Sequence, residues 1–280
     1  MGERQTILLA TDLRARTDRA MDRAAKLMDE WHGRLLVVHV VEPPALTALS
    51  DDELAVRARR ELCEQLREAG DRVEIRVERG EPAEVIQRIA REERCSLIVT
   101  GVARNERFGR IVIGNTVEGV IRGLEVPLLV VADRARAAYR WITVAVDFDD
   151  ASRDALVATA AMFPDASVTA FHAHDAPGSF AAVDLERHRE AFTTVAEEDM
   201  AAFLEKVPLP EEWRARLVTE VQFGDPAAKL VEWTETRHVE LVVVGTRGRG
   251  RLGELLLGSV AKRVLAALRC DVLVVPNRGA

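Results

Sequence analysis

Between positions 245 and 260 the sequence reads Gly245-Thr-Arg247-Gly248-Arg-Gly250-Arg-Leu-Gly253-Glu-Leu-Leu-Leu-Gly258-Ser259-Val260, and this is the stretch best equipped to hold an anion. Glycines lack a Cβ, so their backbone N–H groups can approach a bound anion closely. Arg247, Arg249 and Arg251 add positive charge to the same loop. The strand-like run Leu241 to Gly245 precedes the loop, and ligands of open parallel sheets sit beyond the carboxyl ends of such strands. A helix-like run follows, so Ser259 stands where a helix begins. Its hydroxyl and the first free amides could donate to a phosphate, aided by the helix dipole. Taken singly the arginines read as solvated loop residues; only their shared loop gives them weight. Val260, Val264, Leu265 and Leu268 read as the helix face that packs on the sheet.

Other motifs fit less well. Gly248-Arg-Gly250-Arg-Leu-Gly253 matches G-x-G-x-x-G, but that fingerprint should open a helix directly and precede an acid at the end of the next strand. Asp271 comes before the last strand instead. No G-x-x-x-x-G-K-[ST] occurs, which removes the usual P-loop chemistry. Asp147 ends a strand-like run and reads as a turn acid, a role compatible with a ligand contact. His172-Ala-His174-Asp175 places two imidazoles on one side of a strand, which invites a metal reading. His188 is the nearest third candidate and lies in another element, so packed or surface histidines are the better reading.

The elements that must position these residues occur twice. Thr6 to Asp12 is an apolar run ending in an acid, and Ile142 to Asp147 repeats it; His39 then corresponds to His172. Gly80-Glu-Pro82-Ala83 aligns with Gly224-Asp-Pro226-Ala227, Leu97–Gly101 with Leu241–Gly245, Gly114 with Gly258, and Leu128-Leu-Val-Val with Val272-Leu-Val-Val. The halves differ in length between their second and third strands, where the second has a longer polar stretch from about Ala176 to Arg214. Continuous Val/Ile/Leu blocks alternating with helix-like segments imply parallel strands buried on both faces. The expected fold is therefore α/β, two repeated open-sheet domains with helices sandwiching each sheet, over residues 1–135 and 140–280.

Composition sets the outer limits. Of 280 residues, 48% are hydrophobic and 30% charged, the balance of a globular chain long enough for two cores. A net charge of −7 offers no global field for nucleic acid, so any anion site is local. No run approaches the roughly 20 apolar residues of a membrane span, and Met1 to Gln5 lead straight into a strand-like segment, so a cytoplasmic location without membrane insertion is expected. Cys63, Cys95 and Cys270 are odd in number and widely spaced, and read as reduced packing residues.

The spacing Gly245-x2-Gly248-x9-Gly258-Ser259, set between strand and helix, resembles the nucleotide-binding signature of the universal stress protein family, and the resemblance extends over both halves. It implies a tandem member with an adenine nucleotide alpha hydrolase-like fold. In ATP-binding relatives the acid ending the first strand lies by the nucleoside, here Asp147. The residue after the second-strand histidine lines the adenine site, here Ala173, where relatives often place valine. Gly245, Gly248, Gly258, Ser259 and Val260 would surround ribose and phosphates, with Arg247 on the same loop, and Asp147 could help hold Mg²⁺. The first half departs from the signature: Arg104 replaces the second glycine and Asn115 the serine, although Asn115 could cap a helix, Thr116 could offer a hydroxyl, and Asp12 and Val40 keep the nucleoside end.

The resemblance thus implies an ATP-dependent stress-response regulator. No residue stands out as a general base, so hydrolysis is expected to be weak or incidental. Two other classes stay open: a non-nucleotide adaptor, and a weak ATPase using Arg104 and Arg107 for a second anionic ligand. The resemblance also implies that such domains pair through their last strands and that the chain forms a homodimer.

Overall fold

Most of the inner strands are short blocks of Val, Ile and Leu, and in a computed structural model these blocks form the parallel strands at the centre of each of two units. The structure describes residues 5–13, 18–41, 70–105, 110–112, 114–175, 185–246 and 259–277, with residues 53, 56 and 60. Among them the chain divides into two units, one ending at Ala138 and the other beginning at Tyr139.

The first unit runs β1 (Thr6–Thr11), α1 (Asp18–Glu30), β2 (Arg34–Val41), β3 (Val73–Arg79), α2 (Pro82–Glu92), β4 (Leu97–Gly101), β5 (Ala103–Asn105), β6 (Arg110–Val112), α3 (Asn115–Arg122) and β7 (Leu128–Val131). Its parallel strands lie in the order β3-β2-β1-β4-β7, while β5 and β6 form a separate antiparallel pair. The second unit runs β8 (Trp141–Ala145), α4 (Asp150–Met162), β9 (Ser167–His174), α5 (Leu185–Lys206), α6 (Glu211–Arg214), β10 (Val218–Phe223), α7 (Pro226–Thr236), β11 (Leu241–Gly245), α8 (Ser259–Ala267) and β12 (Asp271–Val275). Its order is β10-β9-β8-β11-β12, the same arrangement in the same sequence of connections. The extra polar stretch of the second half contains α5 and α6.

Burial explains why the central strands are not alternating, whereas β3, partly exposed throughout, reads Val-Glu-Ile-Arg-Val-Glu-Arg. Leu8, Leu9, Leu36, Val99, Val243 and Leu273 are fully buried, because helices cover both faces of each sheet. Each such side chain contributes about 1.5–3 kcal/mol. The helices begin for local reasons: Glu81 caps α2 by accepting the Glu84 N–H at 2.9 Å, and Asp225 caps α7 by accepting the Ala228 N–H at 2.9 Å, each followed by a proline in the first turn. Gly80 and Gly224, which precede these caps, have φ of 140° and 137°, values open to glycine and strained for any other residue. Repeated backbone geometry at aligned positions confirms the duplication independently of side-chain similarity. No helix among the described residues is long and apolar enough to cross a membrane.

Candidate functional site

In the strand order of the second unit, the chain leaves β8 toward β9 on one side and returns to β11 on the other. A crevice therefore opens at the carboxyl ends of β8 and β11. There the protein surrounds about 740 Å³ of empty space, counted out into the open solvent at its mouth. Asp147, Ala173 and Gly245, three of the residues singled out in the sequence, line it. Apolar wall comes from Phe171, Leu230 and Ala261, and polar wall from Asp149 and Ser152.

The turn carrying Asp147 is held from several directions. The Asp147 N–H donates to Ser152 Oγ at 2.8 Å, and that hydroxyl donates to Asp149 Oδ1 at 2.7 Å. Asp149 Oδ1 also accepts the Ser152 N–H at 2.8 Å, capping α4. Across the turn, His172 Nδ1 lies 2.8 Å from the Val146 carbonyl. A carbonyl only accepts, so Nδ1 carries the proton and the tautomer follows. Phe148 between these anchors has φ of 55°, a strained value for an aromatic residue, and its ring lies 4.3 Å from that of His172. The Asp147 backbone is thereby fixed while its side chain stays on the exposed side.

Strand alternation separates the two kinds of residue on β9. Phe171 and Ala173 face the cavity, with Phe171 packed 5.6 Å from Trp233 of α7. His172 and His174 share the other face, stacked 6.0 Å apart, with His174 edge-on to Phe223. Burial, and then the neighbouring His172, push the His174 pKa down, with Asp175 partly opposing. Its Nε2 is buried with no hydrogen-bond partner among the described residues. The paired histidines are thus packing groups, and no cluster of three or more His, Cys, Asp or Glu among the described residues could hold a metal.

Gly245 has a packing reason of its own. A Cβ there would lie 2.5 Å from the Ala151 carbonyl oxygen and 2.7 Å from its carbon, so the strand end and α4 approach only because the side chain is missing. Ser259 and Val260 open α8, and Val264, Leu265 and Leu268 beyond them are buried as the stripe implied. Arg247, Gly248 and Gly258 lie outside the described residues, as do Arg249 and Arg251. Sequence reasoning passed over Asp149 and Ser152, although an acid three residues before a serine at a helix start is a legible cap.

The first unit repeats the frame with different content. His39 Nδ1 donates to the Thr11 carbonyl at 2.9 Å, the counterpart of the His172 bond, and Leu13 has φ of 58°. In place of a glycine loop, Ala103–Asn105 pair with Arg110–Val112, with Arg104 opposite Ile111. Asn115 does not cap α3; it is the first helical residue, and Gly114 occupies the cap position without a side-chain bond.

Similarity to known proteins agrees with this frame. The model of the universal stress protein family matches residues 3–132 and again 138–276. A universal stress protein of Mycolicibacterium smegmatis is 26% identical over 297 aligned positions, covering 97% of each chain. Universal stress protein MJ0531 of Methanocaldococcus jannaschii is 36% identical over 141 residues, covering 49% of this chain and 82% of its own. Among solved structures, a universal stress protein of Archaeoglobus fulgidus superposes with a TM-score of 0.67 at 21% identity, covering 97% of this chain and 98% of its own.

Proposed function

This chain belongs to the universal stress protein family, with one family domain in each half, and from that premise we propose that its second unit binds ATP, or a close adenine nucleotide, as a stress-response regulator. The observation that carries the reading is the cavity at the carboxyl ends of β8 and β11, on whose wall Asp147, Ala173 and Gly245 come together. Adenine would lie against Ala173, Phe171 and Leu230, with Asp147 beside the ribose. The polyphosphate would run toward Gly248, Gly258 and the start of α8 at Ser259, where amides and helix dipole favour negative charge. Mg²⁺ prefers phosphate oxygens and water with one or two carboxylates, and Asp147 is the carboxylate at hand. The bound nucleotide acts by biasing a surface that a protein partner reads, in a cytoplasmic setting.

The test is equilibrium binding of ATP to wild type and to Gly248→Arg, which imports the residue found at the matching position of the first half, Arg104. Loss of affinity of about tenfold or more is expected, the scale of one blocked charge-assisted contact. Equal affinities would remove phosphate recognition from the loop. Trp233 fluorescence offers a readout, because that indole packs against Phe171 on the cavity wall and donates to Thr143 Oγ1 at 3.1 Å.

A further inference from the structure

Helices α7 and α8 both wall the cavity, the first through Pro226 and Leu230 and the second through Ala261. A bidentate ion pair joins them: Arg263 Nη1 donates to Asp225 Oδ2 at 2.8 Å and Nη2 to Asp225 Oδ1 at 2.7 Å. The carboxylate is anchored by the backbone around it. Asp225 caps α7 through the Ala228 N–H, and Gly224 before it, at φ 137°, donates its own N–H to the His174 carbonyl at the end of β9, 2.8 Å away. Arg263 lies four residues beyond Ser259, one turn along the same side of α8.

The first unit joins the matching helices in another way. Glu81 stands at the position of Asp225 and caps α2, but Gly119 stands at the position of Arg263. A Cβ on Gly119 would lie 2.6 Å from Ala83 Cβ, and Gln87 Nε2 donates to the carbonyls of Gly119 and Val120 at 3.0 Å each. There the two helices meet at their backbones. In the second unit a pair of side chains, 57% and 44% exposed, spans the same junction beside the cavity.

We propose that the Asp225–Arg263 pair sets where α8 begins relative to the cavity, making Arg263 a positioning residue for the phosphate end of the bound nucleotide. The inference rests on the nucleotide reading above. An exposed ion pair adds little to stability, so its effect belongs in the affinity for a ligand that spans both helices. In the nucleotide reading the nucleoside end lies against β8, β9 and α7, and of α8 only Ala261 lines that cavity among the described residues.

The experiment measures dissociation constants for ATP and for adenosine with wild type, Arg263→Ala, Asp225→Ser and the double variant; serine retains a cap for α7. ATP binding is expected to weaken about two- to fivefold in each single variant, with adenosine binding unchanged and the double variant no worse than either single. Unchanged adenosine binding also shows that the variants fold. An ATP-to-adenosine ratio equal to wild type in both single variants overturns the proposal. Loss in Arg263→Ala alone overturns it as well, because Arg263 then meets phosphate without Asp225. Wild type that binds neither ligand removes the nucleotide reading and this inference with it, whereas normal wild-type binding with unaffected variants removes this inference alone.

Discussion

At the scale of single residues, Gly245 and His174 show how one position can answer to packing. Gly245→Ala places a methyl 2.5 Å from the Ala151 oxygen, a backbone atom that cannot step aside as a flexible side chain would. Overpacking of this kind costs about 1–3 kcal/mol, and urea unfolding should show the midpoint fall by that measure; an unchanged midpoint would mean that α4 can withdraw from β11 freely. His174 has its pKa lowered below the ordinary 6.5 by burial first and by His172 second. The unfolded chain therefore binds a proton at a higher pH than the folded one, so stability is retained above about pH 6.5 and declines as pH falls below it. Aspartate 175 is the charged neighbour that moderates the shift. Thermal unfolding between pH 7.5 and 5.5 should show a smaller loss of Tm for His174→Phe than for wild type, and equal slopes would assign the loss to other groups.

At the scale of elements, the turn from β8 into α4 is the feature on which the site depends. Ser152 accepts from the Asp147 amide and donates to Asp149, so Ser152→Ala leaves that amide without its acceptor, at a cost of about 1–3 kcal/mol when the group is buried and less here, where it is only partly so. In the proposed pose the turn carries the nucleoside end, so titration should show ATP and adenosine weakened by the same factor, in contrast to the Arg263 variants; a selective loss of ATP would place Ser152 with the phosphates. Asp147 was legible in the sequence as an acid closing an apolar run. The device holding it was not, since it joins Val146 and Asp149 of the turn, Ser152 of α4 and His172 of β9. The antiparallel pairing of Ala103–Asn105 with Arg110–Val112 was also hidden, because neither segment has the length or alternation that marks a strand.

At the scale of the whole molecule, duplication has yielded two units of one topology whose aligned loops differ, Arg104 standing against Gly248 and Asn115 against Ser259. Pairing across β5 and β6 commits backbone groups that a phosphate loop would need free. Calorimetric titration should accordingly give one ATP per chain; two sites of similar affinity would show that the first unit binds despite this pairing. At ATP about a hundredfold above Kd, linkage stabilises the binding unit by about 2.7 kcal/mol. Thermal unfolding should show a stabilisation of that size, and about twice that size would again point to two occupied sites.

Continuous apolar blocks, Gly-x-Pro turns and the order of landmarks determined the α/β class and the repeat, because each is a local pattern whose physics acts within a few residues. The same patterns marked Asp147 and Gly245, since strand ends in parallel sheets face one rim, whereas Ala173 was marked only through the family resemblance. Tertiary structure alone decided that these three share a cavity, that Gly245 admits the Ala151 backbone, that His172 and His174 turn away to pack, and that Arg263 reaches Asp225. Each of those outcomes depends on which strand lies beside which and on which face a helix covers, and such distances between remote residues are absent from any window of neighbouring ones.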